Sequence, residues 1–149
     1  MNNVDDILTP TSFWLKQKRR IALATVISTW GSSPRAVGGQ MAIDENGEII
    51  GSVSGGCIEG AVISEGISAI NDGKSRIKDY GITNDIAWEL GLACGGELKV
   101  LIQPLNLEDE IVYSIVDSIK KREIVKMRID CSNGSRKIDN TIDLSLIHI

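Results

Sequence analysis

The sequence predicts an α/β fold: a mixed β-sheet with flanking helices, glycine-rich loops gathered at one edge, and a C-terminal helix plus β-hairpin extension. Three observations carry this. The run Ile21-Ala22-Leu23-Ala24-Thr25-Val26-Ile27-Ser28-Thr29 is almost continuously apolar and rich in β-branched residues, as in a central strand buried on both faces. Segments with a two-residue apolar repeat alternate with segments repeating every three to four residues, so strands and helices share one core. Glycine clusters abut the ends of strands, following them at 31–39 and 51–60 and preceding one at 91–96.

A chain of 149 residues is about one domain long and can bury a real core. With 42% hydrophobic and 24% charged residues it belongs with ordinary soluble proteins. Aromatics make up only 4%, so the core must be built from Ile, Val, Leu and Ala. The net charge of −4, with no Lys/Arg stripe, does not favour nucleic acid. The first residues, Met1-Asn2-Asn3-Val4-Asp5-Asp6, lack the basic and apolar regions of a signal peptide. No apolar run approaches the ~20 residues of a membrane helix. The odd set Cys57, Cys94 and Cys131 argues against a disulfide framework, and the cytoplasm is the expected compartment.

In order, residues 7–18 read as a short helix with Ile7, Phe13, Trp14 and Leu15 inward, Thr9 and Pro10 offering an alternative start. After the 21–29 strand, residues 39–51 form a hairpin turned at Glu45-Asn46-Gly47, with Asn46-Gly47 supplying positive φ. Residues 58–70 form a helix that stops at Asp72-Gly73. Gly60 and Gly66 each weaken it by roughly 1 kcal/mol relative to Ala, which suggests close packing against a neighbour. A strand is expected at 76–80, a short helix at 85–90 and an apolar strand at 98–103. Asn106 is placed to cap an amphipathic helix over 107–120, with Leu107, Ile111, Ile115 and Ile119 as its stripe. Two alternating segments, 123–129 and 135–144, form a final hairpin around Ser132-Asn133-Gly134. The chain thus divides into residues 1–105 and an extension, 106–149, which is either part of the same compact unit or a partner surface.

The chemistry gathers in the glycine-rich loops. Gly51-Ser52-Val53-Ser54-Gly55-Gly56-Cys57-Ile58-Glu59-Gly60-Ala61 joins a strand to a helix. There the free N–H groups of a helix start and its dipole can cradle an anion, with a thiol beside them. Trp30-Gly31-Ser32-Ser33-Pro34-Arg35 adds hydroxyls, a stiffened backbone and a guanidinium fork suited to phosphate. Gly91-Leu92-Ala93-Cys94-Gly95-Gly96-Glu97 mirrors the first loop, Cys-Gly-Gly against Gly-Gly-Cys. A Ser-His-Asp or Cys-His arrangement is excluded, because the single histidine, His148, stands at the frayed C-terminus. A structural zinc site lacks ligands, and no dinucleotide fingerprint occurs in strand-to-helix context. What survives is an anion plus a soft centre: phosphate at backbone and Arg35, a soft metal or sulfur at Cys57 and Cys94.

These three motifs, in this order, resemble the N-terminal domain of the XdhC/CoxI family, the accessory factors of xanthine dehydrogenase; the resemblance covers about residues 8–105. It implies a cytoplasmic chaperone that transiently binds molybdenum cofactor (molybdopterin), supports its sulfuration with a cysteine desulfurase, and delivers it to a molybdenum hydroxylase apoenzyme. By motif match, the cofactor-binding positions are Gly31, Ser32, Pro34, Arg35, Gly55, Gly56, Cys57, Glu59, Cys94, Gly95 and Gly96. Cys57 is the candidate to face the metal, and Glu59 orients a loop amide or hydrogen-bonds the pterin. Family members commonly carry a C-terminal Rossmann-like domain, for which this chain is too short; either that domain is a separate Rossmann-like partner protein, or the chain is a single-domain variant or truncated product, and a homodimer is compatible with the sequence.

Two rival readings stand beside this one. In the first, Cys57 attacks and Cys94 resolves in a thiol-dependent sulfur-transfer or redox enzyme. In the second, the chain is a structural subunit without a small-molecule ligand.

Overall fold

The computed structural model describes residues 7–30, 37–53, 58–80, 97–121, 126–130 and 135–139. Its elements in chain order are α1 (Leu8–Lys16), β1 (Ile21–Trp30), β2 (Gln40–Asp44), β3 (Ile49–Gly51), α2 (Glu59–Asp72), β4 (Arg76–Tyr80), β5 (Glu97–Pro104), α3 (Glu110–Lys120), β6 (Lys126–Ile129) and β7 (Arg136–Asp139). The predicted helix at 85–90 lies outside the described residues.

Strands β1 to β5 form one sheet in the order β3-β2-β1-β5-β4, and β6 pairs with β7. The apolar run is central, as its composition required. Residues Ile21 to Val26 are all buried, and their side chains alternate between two cores. Ala22, Ala24 and Val26 pack with Met41, Ile43, Val100 and Ile102 beneath Val62, Ala69 and Ile70 of α2. Ile21 and Leu23 face the other way, against Leu8 and Leu15 of α1 and Val112, Ile115 and Val116 of α3. The sheet is therefore a middle layer between α2 and the α1–α3 pair.

The α/β class holds, but every pairing in the sheet is antiparallel rather than mixed. The reason is the path of α2. It joins β3 to β4, which run in the same direction but occupy opposite edges of the sheet. Three strands intervene, so no two parallel strands become neighbours.

Local corrections have local causes. In α1, Phe13 is exposed while Thr11 and Ser12 are buried. Their hydroxyls donate to the carbonyls of Ile7 and Thr9, each at 2.6 Å, so burying them strands no donor. Trp14 sits at the margin of the core, with the Arg19 guanidinium 5.0 Å from its ring. In the β2–β3 turn only Gly47 has positive φ; Asn46 does not. The turn is organised instead by the buried Asp44, whose Oδ1 accepts from the N–H groups of Asn46 (2.9 Å) and Glu48 (2.8 Å). The cap of α3 is Asp109, not Asn106: its Oδ1 accepts from the Val112 N–H at 3.1 Å. The buried stripe of α3 shifts accordingly to Val112, Ile115 and Val116, and Leu107 is left exposed.

Gly73, in the left-handed region with φ 70°, terminates α2 where expected. The final hairpin docks through Ile138, which packs against the α1–α3 core, and through an ion pair between Arg136 and Asp109.

Candidate functional site

Most of the sequence-predicted site residues lie outside the described residues: Gly31, Ser32, Pro34 and Arg35 in one segment, Gly55, Gly56 and Cys57 in a second, Cys94, Gly95 and Gly96 in a third. Glu59 is described. So are the residues that flank each segment, and these fix where the chain leaves and re-enters the fold.

The flanks share one end of the sheet. Trp30, the last residue of β1, pairs with Glu97, the first of β5, so Gly31 follows and Gly96 precedes two directly opposed backbone positions. Tyr80, the last residue of β4, pairs with Leu98 at the same end. The 31–36 segment re-enters beside β1, where the Gly38 N–H donates to Val26 O at 2.8 Å and the Val26 N–H to Gly39 O at 2.9 Å. β3 finishes at Gly51 opposite Met41, next to the start of β2. Helix α2 begins at this end too. Its last turn lies at the far end, where Arg20, just before β1, donates from Nη2 to Ile70 O at 2.6 Å. An antiparallel sheet with α2 laid along it thus gathers the flanks of all three motif segments.

The base of the middle segment is well defined. Val53 and Ile58 are buried in the α2-side core with Val26, Tyr80 and Leu98. Just outside them, the Ser52 hydroxyl donates to Glu59 Oε1 at 2.5 Å. Ile58, at the N-cap of α2, makes no side-chain capping bond, and Glu59 places a carboxylate in the first turn, where the helix dipole favours negative charge. Gly51, just before Ser52, has φ 82°, and a Cβ there would lie 2.5 Å from Gln40 O and 2.7 Å from Ile7 Cγ2. Both the torsion and the crowding therefore require glycine.

Two features of this end are not legible in the sequence. Ser52 carries no signal beyond its place in the motif, since a serine before a helix is commonplace. Tyr80 reads there only as the end of a strand. It is 5% exposed, and among the described residues its hydroxyl has no hydrogen-bond partner. Burial, aided by the negative charge of Glu65, pushes its pKa up to about 12. Glu65 in turn is held by Arg76 Nη1 at 3.3 Å and Lys78 Nζ at 3.6 Å. At the opposite end of the sheet, a cavity of about 220 Å³ opens between Arg20, Ile70, Pro104 and Leu107, away from the motif segments. Among the described residues no helix is long and apolar enough to cross a membrane.

The chain is 29% identical over 109 residues to the "Molybdenum cofactor insertion chaperone PaoD" of Escherichia coli, a match covering 72% of this chain and 33% of that protein. It is 28% identical over 137 residues to a probable xanthine dehydrogenase subunit of Bacillus subtilis, covering 90% of this chain and 38% of that protein. Among solved structures, a xanthine dehydrogenase from Bacillus halodurans shares the fold with a TM-score of 0.74 at 23% identity, over 89% of this chain and 42% of that one. The chain thus spans less than half the length of each of these relatives. Residues 14–81, which hold the first two motifs, match the model of the XdhC and CoxI family, so the family resemblance carried by those motifs stands for the N-terminal part of the chain.

Proposed function

We propose that this chain acts in the maturation of a molybdenum hydroxylase, binding molybdenum cofactor as cargo at the motif-bearing end of its sheet and passing it to the apoenzyme. The observation that carries the reading is the common origin of the three motif segments, with Trp30 and Glu97 paired where the first and third meet the sheet. The family match and the printed name of the Escherichia coli relative support a role with this cargo.

In this reading Arg35 and the amides around Ser32, Gly55 and Gly56 hold the phosphate, because a guanidinium fork and free helix-start N–H groups both favour an anion. Gly31, Pro34, Gly95 and Gly96 set the backbone that lets the cargo approach closely. Cys57 faces the molybdenum or its incoming sulfur, and Cys94 supplies a second thiol from the third segment. A helix start beside Cys57 favours its thiolate. Sulfuration by a cysteine desulfurase, a cytoplasmic setting, a separate Rossmann-like partner and a homodimer belong to the same proposal. The protein itself makes and breaks no bond.

The test mixes purified protein with molybdenum cofactor released from a molybdoenzyme and follows the pair through gel filtration. Retention by wild type, reduced at least tenfold by Arg35→Ala and Cys57→Ala, is the expected result. No retention by wild type, or retention indifferent to both substitutions, counts against the reading. A Cys57–Cys94 disulfide forming on mild oxidation, without cofactor retention, would favour the thiol enzyme instead.

A further inference from the structure

We propose that Glu59 is a positioning residue that clamps the base of the Gly55-Gly56-Cys57 segment, rather than a contact to the cargo; the proposal rests on the cofactor-binding reading for its functional consequence. Ser52 closes off β3 and Glu59 opens α2, and the Ser52 Oγ–H donates to Glu59 Oε1 at 2.5 Å across the ends of the intervening chain. Immediately inside that bond, Val53 is fully buried and Ile58 is 2% exposed. Two buried aliphatics and one charge-assisted hydrogen bond therefore fix both ends of the four residues 54–57. Ordering each residue costs conformational entropy, so a preset base decides how much of that cost falls on ligand binding.

Charge argues the same way. An ionised carboxylate only accepts hydrogen bonds, and so do phosphate oxygens, so Glu59 is the wrong partner for the cofactor's phosphate; contact with a pterin N–H is the alternative that the Glu59→Gln retention arm below tests. Glu59 is the right partner for a hydroxyl donor and for the positive end of α2. The Ser52 bond and the helix start thus account for the carboxylate at this position without a phosphate contact.

The experiment uses Ser52→Ala, Ser52→Thr, Glu59→Ala, Glu59→Gln and the Ser52→Ala/Glu59→Ala double variant of the full chain. It reads two quantities: the rate of Cys57 alkylation by iodoacetamide, followed by peptide mass spectrometry, and cofactor retention. A clamp predicts that either alanine substitution changes the alkylation rate at least threefold and that the double variant changes it no further. Glu59→Gln and Ser52→Thr, which still pair donor with acceptor, stay within twofold of wild type. Cofactor retention follows the same order. The proposal is overturned if Ser52→Ala leaves the alkylation rate unchanged, if the two alanine effects multiply, or if Glu59→Gln abolishes retention while alkylation stays normal. Failure of wild type to retain the cofactor sinks the cargo reading alone, because the alkylation series still decides the clamp.

Discussion

Gly66 of α2 lies so close to Ile43 of β2 that a Cβ on the glycine would fall 2.5 Å from Ile43 Cδ1, 3.2 Å from its Cβ and 3.3 Å from its Cγ2. Ile43 is fully buried and cannot swing aside into solvent. The glycine is thus the contact that lets α2 settle on the sheet. Gly60, six residues earlier, is exposed, and a Cβ there would meet nothing within 4 Å.

The two glycines should respond oppositely to alanine. At Gly66, overpacking of about 1–3 kcal/mol outweighs the gain in helix propensity of about 1 kcal/mol, for a net loss on the order of 1 kcal/mol. At Gly60 only the propensity term operates, reduced by its place in the first turn, so alanine stabilises by a few tenths to about 1 kcal/mol. Urea denaturation of the two variants checks this. Equal shifts of the same sign would mean that helix propensity, not packing on Ile43, governs both positions.

The C-terminal hairpin is held by a different device. Arg136 meets the Asp109 carboxylate with both terminal nitrogens, Nη1 at 3.3 Å from Oδ1 and Nη2 on Oδ2, and the two side chains are 11% and 4% exposed. The same carboxylate caps α3 through the Val112 N–H. Removing the arginine leaves a buried charge with one partner among the described residues, the Val112 N–H, so Arg136→Ala should cost about 3 kcal/mol or more. Adding Asp109→Asn should restore part of that loss, because the neutral side chain keeps the capping oxygen without the charge. Thermal or urea unfolding of the single and double variants measures it. A loss below ~1 kcal/mol for Arg136→Ala would mark the pair as no stronger than an exposed one.

What was legible in the sequence was local. The 21–26 run declared a central strand because six consecutive residues are buried, alternating between two cores, and the Asp72-Gly73 stop worked because only the torsion at Gly73 mattered. The inward face of α1 was not legible, because hydrophobicity alone puts Phe13 inside and ignores that Thr11 and Ser12 can bond their hydroxyls within the helix. Asp109 lost to Asn106 as a cap because its second role, meeting Arg136 from a distant hairpin, has no local signature. The antiparallel sheet escaped for the same reason: strand order depends on α2 crossing from one edge to the other. Of the site, the motif spelling was legible, and so was the position of each glycine cluster beside a strand end; that the described flanks share one end of the sheet follows from the strand order and directions. The Ser52–Glu59 bond was not, because neither residue type favours the other at that spacing.

Tyr80 offers a pH test of the same end of the sheet. Its pKa in the folded protein, pushed up to about 12 chiefly by burial, exceeds the value near 10 of an exposed tyrosine in the unfolded chain. The folded state therefore holds the phenolic proton more tightly than the unfolded state between these values. The resulting contribution to stability is complete below pH 10 and is lost as the pH rises toward 12, by on the order of 2 kcal/mol at its limit. Tyr80→Phe has no proton to lose, so its stability should fall less steeply over that window. Near pH 8 the variant should lie within about 0.5 kcal/mol of wild type, because the hydroxyl has no hydrogen-bond partner among the described residues. Urea denaturation at pH 8, 10 and 11 gives the comparison, with the other titrating groups common to both proteins. Parallel curves for the two proteins would show that the Tyr80 hydroxyl titrates as an exposed phenol. A loss of about 2 kcal/mol or more at pH 8 would instead reveal a hydrogen bond from that hydroxyl into the neighbouring 81–96 segment.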